Sequence, residues 1–253
     1  MPESLWLYPL LLCTGAVAGL VDSIAGGGGL ITLPVALAVG MPPKIALGTN
    51  KFQASFGSFT AAFYYVKHKV VDLRTMKVGI AFTLFGAAVG TWAVEQMNSE
   101  ILGRVIPFFL LAILVYTLVV PKFGELDSRS RFSSALFFVV AGLVLGFYDG
   151  FFGPGVGSFW AMAIVFGLGL NLTKATGATK VMNFTSNVVS LVLFLAGGYV
   201  WFAAGITMAV GQVVGARMGS LLVVRKGASI IRPIYIAIVI ATMLKLLYNM
   251  YAR

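Results

Sequence analysis

Two aspartates in this chain occupy matching positions in two copies of one sequence pattern. Asp22 lies in GLVDSIAGGGGL, which begins at Gly19, and Asp149 lies in GFYDGFFGPGVG, which begins at Gly146. Each copy has a glycine, two apolar residues and the aspartate, followed by a glycine-rich stretch. An ionisable side chain inside membrane-like sequence is costly and is usually retained for a function. The duplication therefore predicts two related halves that meet at one site.

The glycine-rich stretches interrupt otherwise apolar sequence and are expected to break helices. A helix that begins after such a break directs the positive end of its dipole and its backbone N–H groups into the gap, which favours an anion. Two breaks at matched positions, each after an aspartate, are a strong indication of an anion site. The predicted binding residues in the breaks are Gly26, Gly27, Gly28 and Gly29, with Gly153, Pro154 and Gly155.

A second pair of signatures follows each break by about thirty residues, GTNK ending at Lys51 and GATK ending at Lys180. A cation beside hydroxyl and amide donors suits a small oxyanion. Alternatively, both lysines extend from apolar segments to the membrane interface, and their polar neighbours bond between helices. The further candidate substrate-binding residues are Thr49, Asn50, Thr179 and Asn183.

The two aspartates have two possible roles. They could carry a coupling proton, or they could cap the broken helix ends by accepting hydrogen bonds from free backbone N–H groups. Capping is the favoured interpretation for Asp22 and Asp149, since a carboxylate in direct contact with an anionic substrate would repel it.

Composition assigns the chain to the membrane proteins. Hydrophobic residues make up 59% and charged residues 10% of the 253 residues, whereas soluble domains carry about 25% charged residues. The net charge of +10 lies mainly in short connecting loops, where it reports topology and not nucleic-acid binding. One histidine (His68, in a basic loop) and one cysteine (Cys13) give no disulfide, metal-site or catalytic pattern. We expect no enzyme activity, no cofactor and no metal.

The chain divides into two repeats, residues 1–120 and 132–253, joined by a polar linker at 121–131. Each repeat has five apolar segments and is expected to be all-helical. The loop at 67–77 is basic, whereas its equivalent after the eighth segment is uncharged and the next stretch, 217–232, is basic. Equivalent loops should therefore face opposite sides, which predicts inverted repeats. The ten segments are Leu5–Val21, Leu30–Val39, Ile45–Val66, Val78–Val94, Ile101–Val120, Phe132–Tyr148, Phe159–Leu170, Val181–Leu195, Val200–Val214 and Ile230–Tyr248.

Glycines four residues apart match between the two halves. Gly86 and Gly90 in the first half correspond to Gly211 and Gly215 in the second. This spacing on an apolar helix favours close helix packing. We expect these glycines to have a structural role.

Together, the repeated aspartate–glycine and threonine–lysine patterns resemble those of the sulfite exporter TauE/SafE family over nearly the whole chain. The resemblance implies a multi-pass protein of the bacterial plasma membrane that carries sulfite or a small organosulfur or organic anion. It also implies site roles for both aspartates, both lysines and the glycine breaks. GATK lacks the asparagine of GTNK, so the two half-sites should bind differently. Alternating access between the repeats is the expected mechanism. An intramembrane enzyme and a non-transporting assembly or sensor subunit are the alternatives, and the sequence leaves open a homo-oligomer.

Overall fold

The computed structural model describes residues 6–119, 127 and 129–226, which form α-helices and a short 3₁₀ segment at Leu73–Met76. The tenth predicted segment and most of the linker at 121–131 lie outside these residues. The helices are α1 (Leu7–Ala25), α2 (Gly29–Ala38), α3 (Pro43–Lys67), α4 (Lys77–Gln96), α5 (Ser99–Val119), α6 (Ser134–Phe151), α7 (Val156–Leu168), α8 (Leu172–Ala196) and α9 (Phe202–Lys226).

The prediction of an all-α polytopic membrane protein is confirmed. Five helices of the described part are long and apolar enough to cross a membrane. The eighth and ninth helices are longer than predicted, since α8 begins at Leu172 and not Val181, and α9 ends at Lys226 and not Val214. The extra turns contain polar residues that the sequence pattern alone excludes from an apolar helix. Several of those side chains are buried against other helices.

The helices break at both glycine stretches, as predicted, and a short helix follows each break. α1 ends at Ala25 and α2 begins at Gly29, while α6 ends at Phe151 and α7 begins at Val156. Gly26 and Gly155 have φ of +78° and +79°, which glycine adopts without steric cost. With 10 and 13 residues, α2 and α7 are about 15 and 20 Å long, too short for a hydrocarbon core of about 30 Å.

The first helix of each half packs against the fourth helix of the other half. The most extensive contacts join α1 to α9 and α4 to α6, and α3 packs against α8 between them. Glycines make these contacts close, because a Cβ added at Gly90 would lie 2.1 Å from the Phe147 carbonyl oxygen and one at Gly215 would lie 1.9 Å from that of Ala16. The packing role predicted for these glycines is confirmed.

The two equivalent loops lie at opposite ends of α3. The loop between α8 and α9 contacts the beginning of α3, where the Trp201 amide donates to Thr49 Oγ1 over 2.9 Å. The loop between α3 and α4 follows the other end of α3. There Lys67, the last residue of α3, and Arg217 of α9 line one cavity. The basic end of α9 and the basic loop after α3 therefore lie at the same end of the structure.

Gly90→Ala is expected to destabilise the protein by about 1–3 kcal/mol, because its methyl group would overlap the α6 backbone. The effect can be measured as a lower midpoint of thermal unfolding in detergent. Gly103→Ala is the matched control: it lies on exposed α5 surface, where an added Cβ meets its nearest atom at 3.6 Å. There the higher helix propensity of alanine should leave stability equal or raised. Equal midpoints for the two variants would contradict the close contact.

Candidate functional site

The two glycine breaks contact each other in the interior of the protein. A Cβ on Gly157 would lie 2.4 Å from the Gly26 Cα, and a Cβ on Gly29 would lie 3.0 Å from the Pro154 Cα. A polar cavity of about 30 Å³ lies beside this contact, which is room for little more than one water molecule. Its lining is Asp22, Gly26, Gly28, Gly29, Asn50, Lys51, Gln53, Ala54, Asp149, Gly153, Gly155, Val156, Asn183, Asn187 and Gln212.

Lys51 forms a buried ion pair with Asp149 of the other half. Its Nζ lies 2.5 Å from Asp149 Oδ1 and donates as well to the Asp149 carbonyl oxygen over 2.5 Å. The two side chains are 2% and 3% exposed. The second carboxylate oxygen of Asp149 accepts a hydrogen bond from the Ser186 hydroxyl. Asp149 thus serves as the counter-ion of a buried lysine, and the backbone caps at this break involve other atoms.

Lys180 forms the equivalent pair with Asp22. Its Nζ lies 3.0 Å from Asp22 Oδ2, and the side chains are 0% and 22% exposed. Asp22 Oδ1 accepts a hydrogen bond of 3.2 Å from the Gly28 amide, at the start of α2. Asp22 thus accepts a hydrogen bond from a backbone N–H of the break, as a cap would, and also forms an ion pair that the sequence did not predict. For Asp149 the structure shows the ion pair in place of a cap.

The two ion pairs connect the halves reciprocally, because each aspartate pairs with the lysine of the other half. Each lysine is the ninth residue of a 25-residue helix, α3 or α8. The alternative in which these lysines extend to the membrane interface is wrong, since both are buried in mid-helix. The two lysines and two aspartates of these ion pairs together have a formal charge of zero.

Amide and hydroxyl groups complete the polar interior. Asn50 Oδ1 accepts from Thr32 Oγ1 at 2.5 Å and from Gln53 Nε2 at 2.8 Å. Asn183 Oδ1 and Gln53 Oε1 are buried without a hydrogen-bond partner within the described part of the chain. Buried polar atoms are nearly always satisfied, so these two oxygens beside the cavity are places where a hydrogen-bond donor such as water would be stabilised.

Ten of the fifteen predicted site residues line the cavity, and five do not. Thr49 faces the α8–α9 loop, where it accepts from Trp201. Thr179 is buried with no partner for its hydroxyl among the described residues. Pro154 packs on Gly29 and accepts from the Tyr148 hydroxyl at 2.7 Å. The remaining two, Gly27 and Lys180, lie next to the lining.

Sequence reasoning missed Gln212, which is 2% exposed on α9 and lines the cavity. A Cβ added at Gly57 would lie 2.3 Å from the side-chain oxygen of Gln212. The absence of a side chain at Gly57 therefore leaves room for the Gln212 amide. The available signal was a single amide in the otherwise apolar stretch VGQVVG. The glycines on either side of this amide indicated a role in helix packing instead.

Two features of the site favour negative charge, although Asp22 and Asp149 also line it. Residues at the starts of both short helices, α2 and α7, line the cavity, and helix N-termini favour negative charge. Lys51 supplies a full positive charge at the same wall. No group of three His, Cys, Asp or Glu side chains that could hold a metal ion occurs among residues 6–119 and 129–226.

Comparison with known proteins agrees with this picture. Residues 11–246 match the family described as Sulfite exporter TauE/SafE. The chain is 44% identical over 247 residues to the Probable membrane transporter protein YfcA of Escherichia coli strain K12, which covers 98% of this chain and 92% of that protein. It is 43% identical over 243 residues to a Probable membrane transporter protein of Haemophilus influenzae, covering 96% and 95%. No solved structure matches the chain.

A plant relative shares part of the chain. The Arabidopsis thaliana Sulfite exporter TauE/SafE family protein 3 is 31% identical over 111 residues, which cover 42% of this chain and 23% of that protein. The family and the names of the relatives indicate a membrane transporter and not an enzyme. With the apolar helices, they indicate a multi-pass protein of the bacterial inner membrane. The chain belongs to the sulfite exporter TauE/SafE family of membrane transporters.

Proposed function

We propose that this transporter carries sulfite, or a related small organosulfur or organic anion, by alternating access at the cavity between its two halves. The observation that carries the proposal is the pair of buried lysines, one from each half, beside facing helix breaks. In the proposed arrangement residues 1–120 and 132–253 are the two repeats and 121–131 is the linker between them.

The chemistry of the cavity supports an oxyanion substrate. Lys51 provides charge, while the amides of Asn50 and Asn183 provide directional hydrogen bonds. A cavity of about 30 Å³ is too small for sulfite together with its contacts. In the proposed cycle this conformation is a closed state, and the helices around the breaks separate for the substrate to enter.

The packing supports an inverted relation between the repeats. The first helix of each half packs on the fourth helix of the other, and the equivalent loops lie at opposite ends of α3. A two-fold axis in the membrane plane would produce both features. Such symmetry would expose the same site in turn to each side of the membrane.

Uptake of radiolabelled sulfite, methanesulfonate and acetate into proteoliposomes tests the substrate class. Wild type should take up at least one of these anions, and Lys180→Met should lower the initial rate tenfold or more. Lys174→Met is the matched control on the same helix, since Lys174 lies at the surface in an ion pair with Asp127 and should leave uptake intact. Anion binding without any flux would instead favour a sensor or assembly subunit.

Cysteine labelling tests the inverted topology. In a Cys13→Ser background, which removes the exposed native cysteine, His68→Cys should react only from the cytoplasm. Ala196→Cys should react only from outside. Both positions are exposed and lie at the ends of equivalent helices, since His68 follows α3 and Ala196 is the last residue of α8. Labelling of both from one side would show that the repeats are parallel.

A further inference from the structure

We infer that Asp149, and not Asp22, carries one proton with each transported anion, so that the substrate anion replaces the Asp149 charge beside Lys51. This inference rests on the proposed function, because it identifies the coupling ion of the same cavity. Its basis is the charge of the cavity wall and the different hydrogen-bond partners of the two aspartates.

The charged residues that line the cavity are one lysine and two aspartates, a formal charge of −1. With Lys180 behind Asp22, the four charges of the two ion pairs sum to zero. An anion placed between two carboxylates would add an uncompensated charge to the protein interior, which is strongly unfavourable. If a proton neutralises one carboxylate, its lysine loses that counter-ion and becomes available to the anion. When the anion binds, the sum of the charges is again zero.

Asp149 has a hydrogen-bond partner that can accept a bond from the added proton. Ser186 Oγ donates to Asp149 Oδ2 and also lies 3.1 Å from the carbonyl oxygen of Asn183. If Asp149 takes up a proton on Oδ2, its new O–H can donate to Ser186 Oγ, and the serine hydroxyl can turn to the Asn183 carbonyl. A hydroxyl both donates and accepts, so every group keeps a partner without movement of the backbone.

Asp22 has no such acceptor among its hydrogen-bond partners in the described residues. One of its oxygens accepts from the Gly28 amide and the other accepts from Lys180 Nζ. Both partners are donors only. A proton on Asp22 would find no acceptor among these two protein groups, whereas the Ser186 hydroxyl offers one to Asp149.

Few other titratable groups face Asp149 from the helices packed around it. On α3 the facing group is Lys51. On α4 the titratable groups Lys77 and Glu95 lie at the two ends, and α7 has none. On α8, Lys180 is paired with Asp22 and Lys174 with Asp127. The neighbouring Tyr148 donates its hydroxyl to the Pro154 carbonyl.

The step is balanced in charge. From one side of the membrane the protein takes up one proton on Asp149 and one anion beside Lys51. On the other side it releases both and re-forms the Lys51–Asp149 pair. For a singly charged anion the cycle moves no net charge, and no covalent bond other than the O–H bond of Asp149 forms or breaks.

Separate driving forces in proteoliposomes test this cycle. Radiolabelled sulfite and methanesulfonate are the probes; methanesulfonate stays ionised, so any proton that accompanies it is bound by the protein. For methanesulfonate, a pH gradient, acid outside, should drive accumulation of about tenfold for each pH unit, and an inside-positive potential alone should drive none. Accumulation driven by potential but not by the pH gradient would overturn the proton carrier and leave the proposed function standing. No flux of either anion would overturn both.

Two matched variants assign the proton. Asp149→Asn should retain exchange of labelled for unlabelled anion but lose accumulation driven by the pH gradient, since an amide cannot titrate. It should fold, because the amide oxygen and the main-chain oxygen of residue 149 still accept from Lys51. Asp22→Asn should slow transport yet preserve the accumulation ratio. Retained accumulation in Asp149→Asn, or its loss in Asp22→Asn with exchange intact, would overturn the assignment.

Discussion

Lys51→Met is expected to destabilise the protein by about 3–5 kcal/mol, because it leaves the Asp149 carboxylate buried without its cation. The carboxylate side chain is 3% exposed, and its other side-chain partner among the described residues is the Ser186 hydroxyl. The loss can be measured as a lower thermal midpoint in detergent. Lys174→Met, which removes an exposed lysine of α8, should change the midpoint little, because surface ion pairs contribute only about 0–1 kcal/mol.

A double variant separates the structural effect from the functional one. Lys51→Met with Asp149→Asn removes both charges and should recover most of the lost stability. It should still fail to transport, because no cation remains at that wall of the cavity. A single variant as stable as wild type would contradict the buried pair. A double variant that transports normally would show that Lys51 does not contact the anion.

Lys180→Met, the equivalent change in the other ion pair, should destabilise the protein less than Lys51→Met does. Lys180→Met leaves Asp22, which keeps the Gly28 amide as a partner and is 22% exposed. Water can therefore reach part of the unpaired carboxylate, which lowers the penalty. A larger loss of stability in Lys180→Met than in Lys51→Met would contradict this ranking.

Local sequence pattern was sufficient to predict the helices and the breaks. A stretch of about 35 residues from Leu5 to Val39 is too long for one crossing, and a glycine run is where a helix can end and turn back. The duplicated motifs also identified most of the cavity lining, because identical positions in related halves tend to meet at a shared centre.

The pairing of charges was not predictable, because it depends on how the halves dock. Asp149 is 98 residues from Lys51, and Asp22 is 158 residues from Lys180. The sequence equally allowed each aspartate to pair with the lysine of its own half. It also could not give the rotation of α3, which places Asn50 at the cavity but directs its neighbour Thr49 to Trp201.

Gly157→Ala is expected to abolish most transport, because the two breaks could no longer approach as they do in the closed state. The added Cβ would lie 2.4 Å from the Gly26 Cα, at the point where the two glycine breaks contact each other. The backbones must move apart, which would hold the cavity open to one side. Gly157 lies in the first turn of α7, where alanine is tolerated, so the protein itself should fold.

The decisive measurement combines uptake of radiolabelled sulfite with reactivity of Asn183→Cys in the Cys13→Ser background. Gly157→Ala should lower uptake and raise the labelling rate of this cavity residue, because a site that cannot close stays accessible. Gly27→Ala is the matched control at the same contact: a Cβ there meets its nearest atoms at 3.8 Å, so most transport and the slow labelling should remain. If Gly157→Ala transported as well as Gly27→Ala, the contact between the breaks would not be needed for closure, and alternating access would have to occur elsewhere in the fold.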